Sequence, residues 1–238
     1  MGHTSRELFE AGRLKDAIEA VGTELRDNPT DQYRRTFLFE MLCFAGNWER
    51  ADKQLDILAG QDKDKRMGAL LYRAALNADR TRHEMFQKSA ADSEPVPAPA
   101  GGTLNGQEFA SIEDADPRIG ARLEVLAGDS YMWIPLAHIA RVEMQPPKRL
   151  RDLLWAPATI HAGPEFQGSD LGQVLLPVLS PFSCNHADDA VRLGRMTVWE
   201  AGPDGREVPF GQKMLLVDGE EVPLLELRDL EFRQPAGS

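Results

Sequence analysis

Leu8-Phe9-Glu10-Ala11-Gly12-Arg13-Leu14-Lys15-Asp16-Ala17 and Leu42-Cys43-Phe44-Ala45-Gly46-Asn47-Trp48-Glu49-Arg50-Ala51 occupy the same places in two successive turns of one pattern. Gly12 and Gly46 lie 34 residues apart, and Leu8 with Leu42, Ala17 with Ala51 and Val21 with Leu55 keep the same offset. That is the period of the tetratricopeptide helix-turn-helix repeat. A glycine ends the first helix because a residue without Cβ turns tightly there. A small alanine in the second helix allows the paired helices close approach. Around these anchors apolar residues recur at helical spacing: Leu14, Ile18, Val21 and Leu25; Leu38, Met41, Leu42 and Ala45; Ala51, Leu55 and Leu58. Asn28-Pro29-Thr30-Asp31 interrupts them, with Thr30 or Asp31 placed to cap the following helix. A third copy is degraded: Leu76 is in register, but Arg80 and Met85 replace the glycine and the alanine. Residues 66–78 still read as a helix, with Leu70, Leu71 and Ala74 facing inward.

The pattern changes near residue 95. Glu94-Pro95-Val96-Pro97-Ala98-Pro99-Ala100-Gly101-Gly102 cannot continue a helix. It reads as a linker over 93–102, extended at its proline end and flexible at its glycine end. Beyond it, apolar and charged residues alternate in 122–126, 141–144, 191–196 and 225–227, the period of half-buried strands. Gly202-Pro203-Asp204-Gly205 and Asp218-Gly219-Glu220 have the composition of hairpin turns, and 150–155 fits one short helix. The expected fold class is α+β: tetratricopeptide-like repeats over 1–92, then a mainly antiparallel β domain over 103–238, a small barrel or a sandwich.

Composition narrows the functions. With 27 basic and 38 acidic side chains the formal charge is −11, which disfavours phosphate backbones and anionic membrane surfaces as partners. The N-terminal residues lack the apolar stretch of a signal peptide, and no apolar run is long enough to span a membrane. Cys43 and Cys184 are too few for a disulfide framework, so free thiols and a cytoplasmic location are expected.

Phosphate-binding loops, dinucleotide fingerprints, His-Glu-x-x-His, Cys-x-x-Cys and Gly-x-Ser-x-Gly are all missing from the sequence. His3, His83, His138, His161 and His186 stand singly. No cofactor or metal is therefore expected. Asp114, Asp116, Asp188 and Asp189 lack calcium-loop spacing and read as solvated loops. The densest polar cluster, Ser183 to Asp189, gives an alternative reading: a hydrolase using Cys184 and His186. Trp133, Trp155 and Trp199 read as core anchors of the second half.

Stacked helix pairs make a curved surface whose concave side is built from first helices, and such grooves take a helix or an extended peptide. In this register Tyr33, Thr36, Glu40 and Phe44, with Arg6 and Phe9, are the partner-binding candidates. Phe9 and Phe44 read more readily as core residues than as groove contacts, because aromatics on helices are usually buried.

The run 8–20, Asn28-Pro29-Thr30-Asp31, residues 35–46, Asp152-Leu153-Leu154-Trp155 with Pro157-Ala158, and Gly194-Arg195-Met196-Thr197-Val198-Trp199 together resemble the ImpE/TagJ (SciE-type) accessory proteins of type VI secretion. The resemblance implies a non-enzymatic adaptor that binds a helix near the N-terminus of the small contractile-sheath subunit, in a system whose sheath is recycled by an ATPase. It carries over no catalytic motif.

Overall fold

A computed structural model describes residues 3–60, 63–89, 96–164, 166, 171–202 and 205–233. Five helices come first: α1 (Ser5–Glu10), α2 (Leu14–Asp27), α3 (Gln32–Phe44), α4 (Trp48–Ala59) and α5 (Lys63–Ser89). Each packs on the next along the chain. Thr4 opens α1 with a capping box completed by Glu7, and Asp31 caps α3 by accepting from the Arg34 N–H. Gly12 and Gly46 close α1 and α3 in the same left-handed conformation, with φ of 76° and 65°. Leu14, Ala17, Val21 and Leu25 form the buried stripe of α2, as their spacing requires.

Thirteen strands follow in the described residues: β1 (Gly102–Leu104), β2 (Gln107–Phe109), β3 (Ile112–Asp114), β4 (Arg122–Ala127), β5 (Ser130–Pro135), β6 (Ile139–Met144), β7 (Trp155–Ala162), β8 (Gly172–Pro177), β9 (Val198–Ala201), β10 (Glu207–Phe210), β11 (Met214–Val217), β12 (Glu220–Pro223) and β13 (Asp229–Phe232). An eight-stranded sheet runs β2-β1-β13-β6-β7-β8-β4-β5, beside a three-stranded sheet β12-β11-β3 and the β9–β10 hairpin. Every strand pairing is antiparallel. Asp218-Gly219 turns β11 into β12 with positive φ at both residues (51° and 87°). Asn105-Gly106 does the same between β1 and β2 (52° and 83°), and the Asn105 side chain also accepts from the Arg228 and Asp229 N–H groups. This Asn-Gly pair is a strong local turn signal that apolar periodicity does not register.

Several local expectations are corrected. Residues 191–196 are not a strand: Asp188 caps a short helix α6 (Asp189–Arg192), and Gly194 at φ 65° stops it. Val191 and Leu193 are still buried, but through a helical turn. Residues 225–227 lie across a 3-10 turn (Leu224–Glu226) rather than in a strand, and 150–155 divides into a 3-10 turn (Leu150–Leu153) and the start of β7. Leu70 and Leu71 point outward, 59% and 56% exposed, while Ala69, Ala75, Leu76 and Ala78 fill the inner face of α5. Residues 93–95 of the expected linker and residues 203–204 of the β9–β10 turn fall outside the described residues. The glycine end of that linker is not slack. A Cβ on Gly101 would meet the Phe109 carbonyl at 2.8 Å, and one on Gly102 would meet the Glu231 carbonyl at 2.0 Å.

The two halves share a core. Leu126, Leu154, Trp155, Leu179 and Leu193 belong to the same buried cluster as Phe39, Met41, Leu42 and Phe44 of α3. The rings of Phe39 and Trp155 stand 6.5 Å apart across this joint. Trp155 is thus an anchor of the joint as much as of the sheet, whereas Trp133 and Trp199 are half-buried. A second cluster lies within the sheets, centred on Val125, Ile139, Val142, Ile160 and Leu176.

Candidate binding groove and the joint behind it

Helix α3 explains where a groove is left open. Phe37 through Phe44 are all buried, so α3 is covered nearly all round. Helices α2 and α4 flank it, Leu154, Trp155, Leu179 and Leu193 of the C-terminal half join its buried cluster, and the same half also holds α1 and α2. Arg195 donates to the carbonyls of Phe9 and Glu10 at 2.7 and 2.8 Å, at the C-terminal end of α1, and its guanidinium lies 5.0 Å from the Phe9 ring centre. Asp189 accepts from the Lys15 N–H at 3.3 Å.

The surface left free lies between α3, α4 and α5. A groove of about 220 Å³ is lined by Gln32, Thr36, Phe39, Leu55, Leu58, Gly68, Ala69, Tyr72 and Arg151. Ala69 joins it to a shallower depression of about 420 Å³ at the start of α5. Met67 and Leu70 on the depression and Leu71 on the neighbouring cleft wall are each more than half exposed. Tyr72 and Arg151 connect the groove, on its other side, to a cleft of about 510 Å³ between α5 and strands β7 and β8.

Of the residues singled out by the repeat register, Thr36 lines this groove. Tyr33 is 66% exposed and accepts a hydrogen bond from Arg6, whose guanidinium also sits 5.0 Å from the centre of the Phe37 ring. Phe9 is half-buried edge-on to Phe37. Phe44 is fully buried and turned into the shared core, so it is not a groove contact. Glu40 is buried as well, behind the groove wall, with Arg151 as its cation at 3.7 Å. Burial pushes the Glu40 carboxyl up to about 7, although the Arg151 charge and backbone N–H pull the other way. The sequence reading missed Arg151, Tyr72, Leu55 and Leu58 as groove walls. Arg151 carried no signal, because its place at α3 depends on the docking of residue 150–153 from the other half.

Behind the groove an ionic network ties the halves together. Arg82 of α5 grips Glu124 of β4 in two hydrogen bonds of 2.7 and 2.9 Å and donates to the Leu179 carbonyl at 3.0 Å. Lys213 lies between Glu124 and Asp114, and the Tyr131 hydroxyl donates to Glu124. Arg82, Glu124, Asp114 and Lys213 are each less than 5% exposed. Burial opposes ionisation of Glu124, but the Arg82 and Lys213 charges outweigh it and hold the carboxyl far below its usual range. For Asp114 burial wins and its carboxyl is raised, with Lys213 opposing. Asp114 and Asp116 are therefore not solvated loop residues: Lys213 and Arg118 neutralise them in the interior. Asp188 and Asp189 cap and pair within α6. Among the described residues, no cluster of His, Cys, Asp and Glu is arranged to hold a metal ion, and no helix is long and apolar enough to cross a membrane.

Cys184 and His186 do not meet as expected. The Cys184 sulfur faces His83 of α5 at 3.8 Å, while His186 contacts Glu200 at 3.1 Å and accepts from the Asp188 N–H. Burial and the nearby Asp79 push the Cys184 thiol up to about 12, so it is protonated at neutral pH. The cavity beside it measures about 20 Å³, room for a water molecule but not for a substrate. Both cysteines are free.

The fold and the groove define a class: an α+β protein in which helical hairpins are clamped onto an antiparallel β half, leaving one apolar furrow open on the helical side. The chain belongs to the ImpE family. The ImpE protein family matches residues 106–231. The type VI secretion system accessory component TagJ of Pseudomonas aeruginosa is 30% identical over 267 aligned residues, spanning 96% of this chain and 90% of that protein. A crystal structure of a Vibrio parahaemolyticus protein shares the fold, with a TM-score of 0.85 at 21% identity over 97% of this chain and 98% of the other.

Proposed function

We propose that this protein is a non-enzymatic, cytoplasmic accessory component of a bacterial type VI secretion system, acting as an adaptor. In this reading α1/α2 and α3/α4 are tetratricopeptide-like repeats, α5 is a lone third first-helix, and 93–102 links the helical unit 1–92 to the β-rich unit 103–238. The groove between α3, α4 and α5 receives a helix of the small contractile-sheath subunit, which connects the protein to the cycle of the sheath-recycling ATPase.

The observation that carries this reading is the apolar furrow itself. Its floor holds Phe39, Leu55 and Leu58, and Met67 and Leu70 stand exposed on the adjoining depression. Exposed apolar side chains that cluster along a furrow mark an interaction site, and an amphipathic helix is the segment whose apolar face fits one. The similarity to TagJ supplies the biological setting. Thr36 contacts the partner on the α3 side, with Tyr33 and Arg6 at the outer rim.

The test is calorimetric titration of the purified small sheath subunit into this protein and into Thr36→Arg and Leu70→Asp variants. Both substitutions fall on exposed or half-exposed positions, so the melting temperature stays within a few degrees. Binding should weaken at least tenfold in each. Wild-type affinity in both variants would remove the groove from the proposal.

A further inference from the structure

We infer that the groove selects its helix by charge as well as by apolar shape: the incoming helix carries a carboxylate beside its apolar face, and Arg151 is the residue that receives it. This rests on the reading of the furrow as a partner-helix site and adds a chemical requirement to the partner.

The first observation is the sign of the walls. The chain as a whole is strongly acidic, at −11. Yet the charged residues lining the groove and the adjoining depression are Lys63, Arg66, Arg73 and Arg151, with no carboxylate among the described lining residues. Arg73 is neutralised by Asp52 and Asp56 at 2.5 and 2.6 Å. The others make the lining of these two hollows cationic over an apolar floor, whereas the cleft beyond Arg151 sets Arg149 against Glu143 and Asp152. A cationic lining in an acidic surface draws an anionic segment to this one place and disfavours basic helices.

The second observation is how Arg151 is held. It lines both the groove and the larger cleft, at their junction. Its guanidinium is stacked 4.4 Å from the centre of the Tyr72 ring, which fixes its plane. Its carboxylate neighbour Glu40 stands at 3.7 Å, beyond hydrogen-bonding distance and on the buried side. Burial keeps much of Glu40 in its neutral form near pH 7, so the charge on Arg151 is only partly compensated. A planar guanidinium, oriented by an aromatic ring and 16% exposed at the junction of two furrows, is preorganised for a carboxylate arriving from outside.

The experiment uses the full chain and two peptide series, read by fluorescence anisotropy at fixed ionic strength. One series is the N-terminal helix of the small sheath subunit, with each Asp or Glu changed in turn to Asn or Gln. The other is a designed Leu/Glu amphipathic helix and its Leu/Gln counterpart. One amide swap in the sheath peptide should weaken binding tenfold or more, as should Leu/Glu to Leu/Gln. Both losses should shrink to within twofold in Arg151→Gln, return in Arg151→Lys, and grow in Glu40→Gln, where Arg151 has no internal competitor. Because the swaps are made on the peptide, a folding defect in Arg151→Gln cannot mask the answer. Binding of the sheath peptide with every amide swap within twofold of the parent overturns the charge requirement and leaves the sheath reading standing. Arg151-dependent binding of the Leu/Glu helix without binding of the sheath peptide supports the charge requirement and overturns the sheath partner. Binding of neither peptide overturns both.

Discussion

Replacing Glu124 by Gln keeps the shape of the side chain and removes one charge from the joint between α5 and β4. In the native protein that charge faces the Arg82 guanidinium at 2.7 and 2.9 Å and the Lys213 ammonium, and all of these groups are essentially out of solvent. After the substitution Lys213 remains buried with Asp114 as its carboxylate, and Arg82 with Asp79 at 3.7 Å. Breaking a buried ion pair by removing one partner costs about 3–5 kcal/mol, because the stranded charge keeps its desolvation penalty. Against a typical total of about 5–15 kcal/mol this is a large fraction, and it corresponds to a fall of about 6–20 °C in melting temperature for a chain of this size. Urea unfolding followed both by far-ultraviolet circular dichroism and by tryptophan fluorescence measures it. The matched control is Asp229→Asn, whose pair with Arg141 is more than 40% exposed on both sides and is worth about 0–1 kcal/mol. The pH dependence has a definite sign. Glu124 is held below its usual range, so its contribution is present above about pH 4.5 and is lost as pH falls. The gap between wild type and Glu124→Gln should therefore narrow below about pH 4. A loss no larger than that of Asp229→Asn at pH 7 would refute the view that this network fastens the two halves.

Two further predictions follow from the same joint. Gly46 has φ of 65°, and a Cβ there would lie 2.8 Å from the Cys184 sulfur; Gly46→Ala should cost about 2–4 kcal/mol, from backbone strain and overpacking together. Adding Cys184→Ala should recover the overpacking part alone, and a double-mutant cycle in urea would show a coupling of at least about 0.5 kcal/mol. Glu40 is held above its ordinary value, at about 7, so its neutral form contributes stability below about pH 4.5 that is lost as pH rises through 7. Glu40→Gln should thus be more stable than wild type at pH 8, by about 1–3 kcal/mol, with little difference at pH 4. Equal stability at both pH values would show that Glu40 is not desolvated in the way described.

The furrow also gives a physical reason for joining helical hairpins to a β half. Bare hairpins would uncover the part of α3 that packs on the β half, although its residues 37–44 are all buried here. The β half adds Leu154, Trp155, Leu179 and Leu193 to the buried cluster that α3 shares with α2 and α4, and supplies Arg151 to the part left open. The lining of the furrow on the helical side thus includes a residue from the other half of the chain.

Much of the architecture was written locally. The 34-residue spacing of glycine, alanine and leucine placed α1 to α4, and Asn28 to Asp31 placed the break between the hairpins. Alternation found β4 and β6, and Asp218-Gly219 found its hairpin. Each of these is set by interactions within a few residues, which a single sequence carries in full. Where alternation was shared by two structures it misled: Val191 and Leu193 are buried by a capped helical turn, and Leu224 and Leu227 are buried on either side of a 3-10 turn. Among the candidate site residues, Thr36 lies on the groove, Tyr33 is exposed and paired with Arg6, and Phe44 and Glu40 are enclosed. By itself the sequence determined the order of a helical half before an antiparallel β half, with the helix breaks and some of the strands and turns. Only the tertiary structure decided that Leu70 and Leu71 face water, that Arg82 meets Glu124, that Cys184 meets His83 rather than His186, and that Arg151 walls the groove. Periodicity records how much of an element is covered, and nothing in it names the distant segment that does the covering.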